Sequence, residues 1–149
     1  MKAFFALTLA ALCQSAYCMR DGSYIIASGS QVLTERMHAQ GKPLIFEAKN
    51  DKPGQIWDFI PMENGYFKIQ NDRGEYINCG EYEDGATCFA GEKPELFLPE
   101  YQNDNCYQLV AKGREAKESG YFLRIAKNGE LKLAEYDDSE SEKFKLVRV

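Results

Sequence analysis

Residues 52–70 read KPGQIWDFIPMENGYFKIQ and hold the chain's only tryptophan, Trp57, in the pattern Gln55-Ile56-Trp57. Two short runs rich in β-branched and aromatic residues, QIWDFIPM and GYFKIQN, flank a small polar break at Glu63-Asn64-Gly65. Such runs parted by Gly, Asn, Asp and Pro are a β-strand signal, because the breakers favour turn geometry and the branched residues favour the pleat. The same texture extends in both directions, and helical periodicity is almost absent.

Working outward gives three sets of four segments. The first is SYIIAS, QVLTE, PLIFEAK and QIWDFIPM. The second is GYFKIQN, GEYINC, ATCFAGE and ELFLPEY, and the third is NCYQLVAK, GYFLRIA, ELKLAEY and EKFKLVRV. Each set opens on a tyrosine, Tyr24, Tyr66 and Tyr107, spaced by 42 and then 41 residues. Each closes on an aromatic preceded two residues earlier by Gln or Glu: Gln55 and Trp57, Glu95 and Phe97, Glu142 and Phe144. A period of about 40 residues with four strands per copy marks a repeat architecture. A propeller needs at least four blades, so three copies point to an all-β β-trefoil of about twelve strands with pseudo-threefold symmetry. One copy cannot bury its apolar face alone. The closing aromatics are therefore expected to meet near a shared axis with Ile26, Ile69, Leu109, Leu123 and Leu146.

The closing Gln-x-Trp resembles the corresponding element of ricin-type lectin repeats. That resemblance implies a core role for Trp57, with sugar held elsewhere in a lobe by an acidic residue, an aromatic platform and an amide. In the third copy Tyr136, Asp137 and Asp138 lie close together and are the lectin candidates. A small trefoil without strong lectin motifs also resembles the fungal trefoil protease inhibitors, the mycocypin and cospin-like groups. The cospin-like resemblance implies a reactive arginine in the loop after the second strand, here Arg36-Met37. A trypsin-like protease would take that guanidinium into an acidic pocket through charge-assisted hydrogen bonds. The mycocypin resemblance implies an asparagine in the loop IQNDRGEY, here Asn71 beside Arg73. The insertion AKGREAKESG in the third copy offers Lys112, Arg114 and Lys117. The leading expectation is a protease inhibitor, with a serine protease favoured and a cysteine protease the second choice. The alternatives are a glycan-binding lectin and an effector that binds another protein.

The first 18 residues, MKAFFALTLAALCQSAYC, carry a basic start, an apolar centre from Ala3 to Leu12 and small residues toward the end. That is the pattern of a secretory signal peptide, with cleavage after Ser15, Ala16 or Cys18. It leaves 19–149 as a single domain expected outside the cell as a monomer. Export permits disulfides. Cys79 and Cys88 flank the turn-like GEYEDGAT and are the candidate pair, with Cys106 left over. The net charge of -5 argues against nucleic acid as a partner, because phosphate binding needs clustered Lys and Arg. No second apolar run suggests a membrane segment.

Catalysis finds little footing in the sequence. The single histidine, His38, sits in a polar stretch with no adjacent serine or cysteine. Metal-site spacings and a glycine-rich phosphate loop are both missing, so no metal, no cofactor and no enzyme activity are expected.

Overall fold

The computed structural model describes residues 19–36, 41–113, 120–137 and 139–149. The proposed signal peptide, Met37, His38, Arg114, Lys117 and Asp138 lie outside the described residues. The strands in chain order are β1 (Gly22–Ser28), β2 (Gln31–Thr34), β3 (Ile45–Ala48), β4 (Trp57–Pro61), β5 (Phe67–Gln70) and β6 (Tyr76–Asn78). There follow β7 (Phe89–Gly91), β8 (Leu96–Tyr101), β9 (Cys106–Ala111), β10 (Tyr121–Ile125), β11 (Leu131–Ala134) and β12 (Phe144–Arg148). Eleven strands fall within their sequence segments, and β1 begins one residue earlier, at Gly22.

Six strands close on themselves. β1 pairs with β4, β4 with β5, β5 with β8, β8 with β9, β9 with β12, and β12 returns to β1, every pairing antiparallel. Closure leaves no free barrel edge for another chain to extend. The remaining strands form three hairpins, β2–β3, β6–β7 and β10–β11. The hairpins are joined by a ring of backbone hydrogen bonds. Leu44 N–H donates to Cys88 O, Cys88 N–H to Leu131 O, and Leu131 N–H to Leu44 O, each at 2.9 Å. Six barrel strands with three hairpins is the β-trefoil arrangement, one lobe per sequence copy.

Alternation explains the core. On β4, Trp57 and Phe59 are buried while Asp58 and Ile60 are not; on β5 the buried pair is Phe67 and Ile69. A strand presents every second side chain to one face, so each barrel strand gives its apolar face to the interior. The three closing aromatics, Trp57, Phe97 and Phe144, are completely buried. Trp57 also donates its indole N–H to Leu33 O at 3.1 Å, tying the barrel to the first hairpin.

Two expectations need correction. The partner of Phe97 in the β5–β8 register is Phe67, as Tyr24 partners Trp57 and Tyr107 partners Phe144. Phe67, not Tyr66, is therefore the second copy's counterpart of Tyr24 and Tyr107. A slip of one residue moves a strand side chain to the opposite face, and Tyr66 is only half-buried. Leu146 is also half-buried rather than axial. The residues two beyond the closing aromatics are Phe59, Pro99 and Leu146. The large Phe59 ring, packed edge-on against Tyr24 at 5.2 Å and Phe67 at 5.9 Å, fills the centre, and its smaller counterparts stay nearer the surface.

Candidate functional site

The residue two before each closing aromatic does similar work in every lobe, and its chemistry differs with its neighbour. In lobe 1, Gln55 is buried. Its Nε2 donates to Thr34 Oγ1 at 3.0 Å and to Ala48 O at 2.9 Å, while Oε1 accepts the Asn50 N–H at 2.8 Å. Lobe 3 has Arg124 where lobe 1 has Thr34, each following a buried leucine of the hairpin. The side chain two before Phe144 is accordingly a carboxylate: Glu142 accepts from Arg124 at 2.6 Å and from the Asp137 N–H at 3.3 Å. Burial pushes the Glu142 carboxyl above the usual carboxylate range, and Arg124 only partly offsets this. Lobe 2 has Asn78 at the Thr34 position, and Glu95 accepts the Cys79 N–H at 3.4 Å.

The three lobes consequently present three different surfaces. Lobe 1 has a cleft of about 430 Å³ whose walls include Glu35, Arg36, Glu47, Lys52, Asp72 and Arg73. It is strongly charged, and none of its described wall residues is aromatic. In lobe 3 the corresponding place is occupied by the Arg124 guanidinium, held by Glu142 and Asp137. Hydrogen bonds from Ser139, and then the Arg124 charge, hold Asp137 below its ordinary value.

Lobe 2 opens a cleft of about 720 Å³, within the size range of small-molecule sites. Asn78 and Phe89 face each other in the β6–β7 register. Asn78 Oδ1 accepts the Gly80 N–H at 2.6 Å, and its Nδ2 donates to Lys93 O at 2.7 Å. That pair of bonds anchors the far wall, where Glu92, Lys93, Pro94 and Glu95 lie. The Phe89 ring is flanked by Gly80 and Gly91, where an added Cβ would stand 3.5 Å from ring carbons. A side chain at either glycine would lie against the ring, so the glycines keep an aromatic wall clear. Tyr82 completes it, its hydroxyl donating to Ala111 O and accepting the Tyr121 N–H, both at 3.3 Å. Its ring meets Tyr121 edge-on at 4.8 Å.

The cleft rests on the disulfide between Cys79 and Cys88, the pair expected from the sequence. These cysteines directly follow Asn78 and precede Phe89, so the bridge pins the two side chains that face the cleft. Cys106 is a free, half-buried thiol on β9.

The remaining candidates are dispersed. Asn71 is buried: its Oδ1 accepts the Arg73 N–H at 3.0 Å and the Glu75 N–H at 2.8 Å, and its Nδ2 donates to Glu35. It organises the turn from a buried position. Arg73 is held by Glu35 and Glu75, and Arg36 by Glu47 at 2.6 Å. Tyr136 is well exposed, its ring centroid 5.3 Å from that of Phe122, and Asp137 beside it is committed to Arg124. No sequence motif singles out Asn78, Tyr82, Phe89, Glu92 or Lys93. The signal available was the cysteine pair itself, because bridging residues 79 and 88 forces 78 and 89 together.

Among the described residues no group of three or more His, Cys, Asp or Glu side chains could hold a metal ion. No described helix is long and apolar enough to cross a membrane.

The closed barrel and its three hairpins together define a β-trefoil protein. The sequence matches no protein-family model and no curated protein. The fold nevertheless superposes on solved β-trefoils along nearly the whole chain. The Rhizoctonia solani agglutinin is similar with a TM-score of 0.75 at 15% identity, over 91% of this chain and 100% of that one. The Macrolepiota procera ricin B-like lectin, solved in complex with lactose, gives 0.74 at 15% identity over 88% and 99%. SeviL, solved bound to asialo-GM1 saccharide, gives 0.66 at 18% identity over 87% and 99%.

Proposed function

We propose that this protein is a secreted, non-catalytic carbohydrate-binding β-trefoil whose glycan site is the lobe 2 cleft. One observation carries the reading: an amide (Asn78), an aromatic wall (Phe89 with Tyr82) and an exposed carboxylate (Glu92) converge on one groove in one lobe. Sugar rings offer an apolar C–H face to an aromatic and hydroxyls to amides and carboxylates. A cleft of this make-up suits them, with few placed polar groups against an apolar surface. The lectins of like fold, solved with lactose and with asialo-GM1 saccharide, support the same reading. Export rests on the N-terminal sequence pattern.

Protease inhibition gains no comparable support. Arg36 and Arg73 are engaged by carboxylates, whereas a reactive residue must protrude and be free to enter its pocket.

A glycan array probed with the mature protein, alongside Phe89→Ala, tests the proposal. Removing the ring should weaken binding roughly 10- to 100-fold, the equivalent of about 1–3 kcal/mol of apolar contact. Absence of binding to any chain, or identical binding by Phe89→Ala, overturns the assignment. Trypsin and papain assays run in parallel are expected to show no inhibition.

A further inference from the structure

We propose that the glycan taken by the lobe 2 cleft is anionic, with its carboxylate or sulfate directed to the side lined by Lys93 and Lys112; this rests on the carbohydrate-binding reading above. The argument comes from comparing how the three lobes treat their cations. Around the lobe 1 cleft Arg36 is paired with Glu47, and Arg73 with Glu35 and Glu75. In lobe 3, Arg124 is paired with Glu142 and Asp137. These guanidinium charges are neutralised by the protein itself.

Lobe 2 differs. Lys93 and Lys112 both line its cleft, and among the described residues neither is paired with a carboxylate. The Lys112 ammonium lies over the Tyr66 ring, 5.5 Å from its centroid. A cation–π contact of this kind holds the charge in place electrostatically without using its three N–H donors. Lys112 is also fixed at the backbone, its N–H donating to Leu96 O at 2.9 Å. Lys112 thus lines the same cleft as Phe89 and Tyr82 with its ammonium donors unspent, which complements a ligand with a ring at one end and an anion at the other.

The carboxylates do not cancel this. Glu95 faces the hairpin backbone, where it accepts the Cys79 N–H. Glu92 is exposed beyond β7 and would oppose an anionic ligand, so its removal has a sign that can be checked. The cleft's volume of about 720 Å³ leaves room for a charged residue beside the sugar on Phe89.

The test compares neutral, sialylated, uronate-containing and sulfated chains on one array, then titrates the strongest anionic chain against its desialylated or desulfated counterpart. An anionic chain should bind about 3- to 10-fold tighter than its neutral counterpart, as expected for a charge contact at a partly exposed site. Lys112→Gln should erase most of that preference, and Glu92→Gln should enlarge it. The preference should shrink between about 50 and about 300 mM salt, as screening requires. The sialylated, uronate and sulfated arms separate a carboxylate from a sulfate ligand. Equal binding of neutral and anionic chains, or an unchanged ratio in Lys112→Gln, overturns the inference and leaves the carbohydrate reading standing. Failure of every chain to bind overturns the carbohydrate reading itself.

Discussion

Gln55→Glu is the sharpest perturbation available, because it installs in lobe 1 the residue that lobes 2 and 3 carry naturally. Gln55 Nε2 makes two donated bonds, to Thr34 Oγ1 and Ala48 O. A carboxylate can donate neither. The Thr34 hydroxyl, which now donates to Val32 O at 2.9 Å, can turn to serve the new oxygen, but Val32 then loses its donor. The Ala48 carbonyl would face a like partial charge with no rescue. Each buried polar group left without its partner costs about 1–3 kcal/mol, so we expect a loss of about 2–4 kcal/mol at pH 7. With a urea slope of about 2 kcal/mol/M, the midpoint should fall by about 1–2 M. The single tryptophan, fully buried one residue beyond Ile56, supplies the fluorescence readout. The sign of the pH effect follows from burial. The new carboxyl's folded-state pKa is expected above its unfolded value of about 4.3, so the folded state holds the extra proton and the penalty grows as pH rises. Relative to the parent, the deficit should be full near pH 7 and mostly gone by about pH 4. A deficit below about 0.5 kcal/mol, or one equal at both pH values, would refute the reasoning.

Arg124→Thr leaves Glu142 buried without its cation, and should cost about 3–5 kcal/mol in urea unfolding at neutral pH. Adding Glu142→Gln rebuilds the lobe 1 chemistry and should recover much of that loss; no recovery would show that the two residues are not coupled. Replacing Cys79 and Cys88 by serine opens a loop of sequence separation 9 and should cost about 2.5–3 kcal/mol by chain entropy, with glycan affinity falling in step because Asn78 and Phe89 are no longer pinned. An added Cβ at Gly54 would stand 2.5 Å from the Glu35 carbonyl oxygen. Gly54→Ala should therefore lower stability by about 1–3 kcal/mol, measurable as a drop in Tm, whereas Gly85→Ala, with open space around it but a positive φ, should show only the smaller backbone cost.

The architecture was legible because barrel strands bury one face, and that rule writes a period into the chain. Three copies of it gave the strand count, the lobe boundaries and the burial of Trp57. The phase of the second copy was not legible. Tyr66 and Phe67 are adjacent aromatics, and only the pairing of Phe67 with Phe97 decides which points inward. The Arg36 and Asn71 loops rest on a family resemblance and the Tyr136-Asp137 candidate on local composition, and neither can show that Arg73 is held by Glu35 or that Asp137 is spent on Arg124. The lobe 2 cleft gathers side chains from β6, β7, residues 92–95 and Lys112, whose meeting is a product of barrel closure. No local pattern announces it.

The ring of bonds through Leu44, Cys88 and Leu131 has a direction, since each lobe donates to the next and accepts from the one before. Excising any lobe would strand one donor and one acceptor on the two that remain, at buried positions where water cannot replace them. Stability is thus indivisible among the lobes: a fragment of one or two copies has no smaller version of this cap to adopt. A cut in a surface loop leaves all three partners in place. Limited proteolysis should accordingly yield nicked but assembled molecules, and no folded thirds.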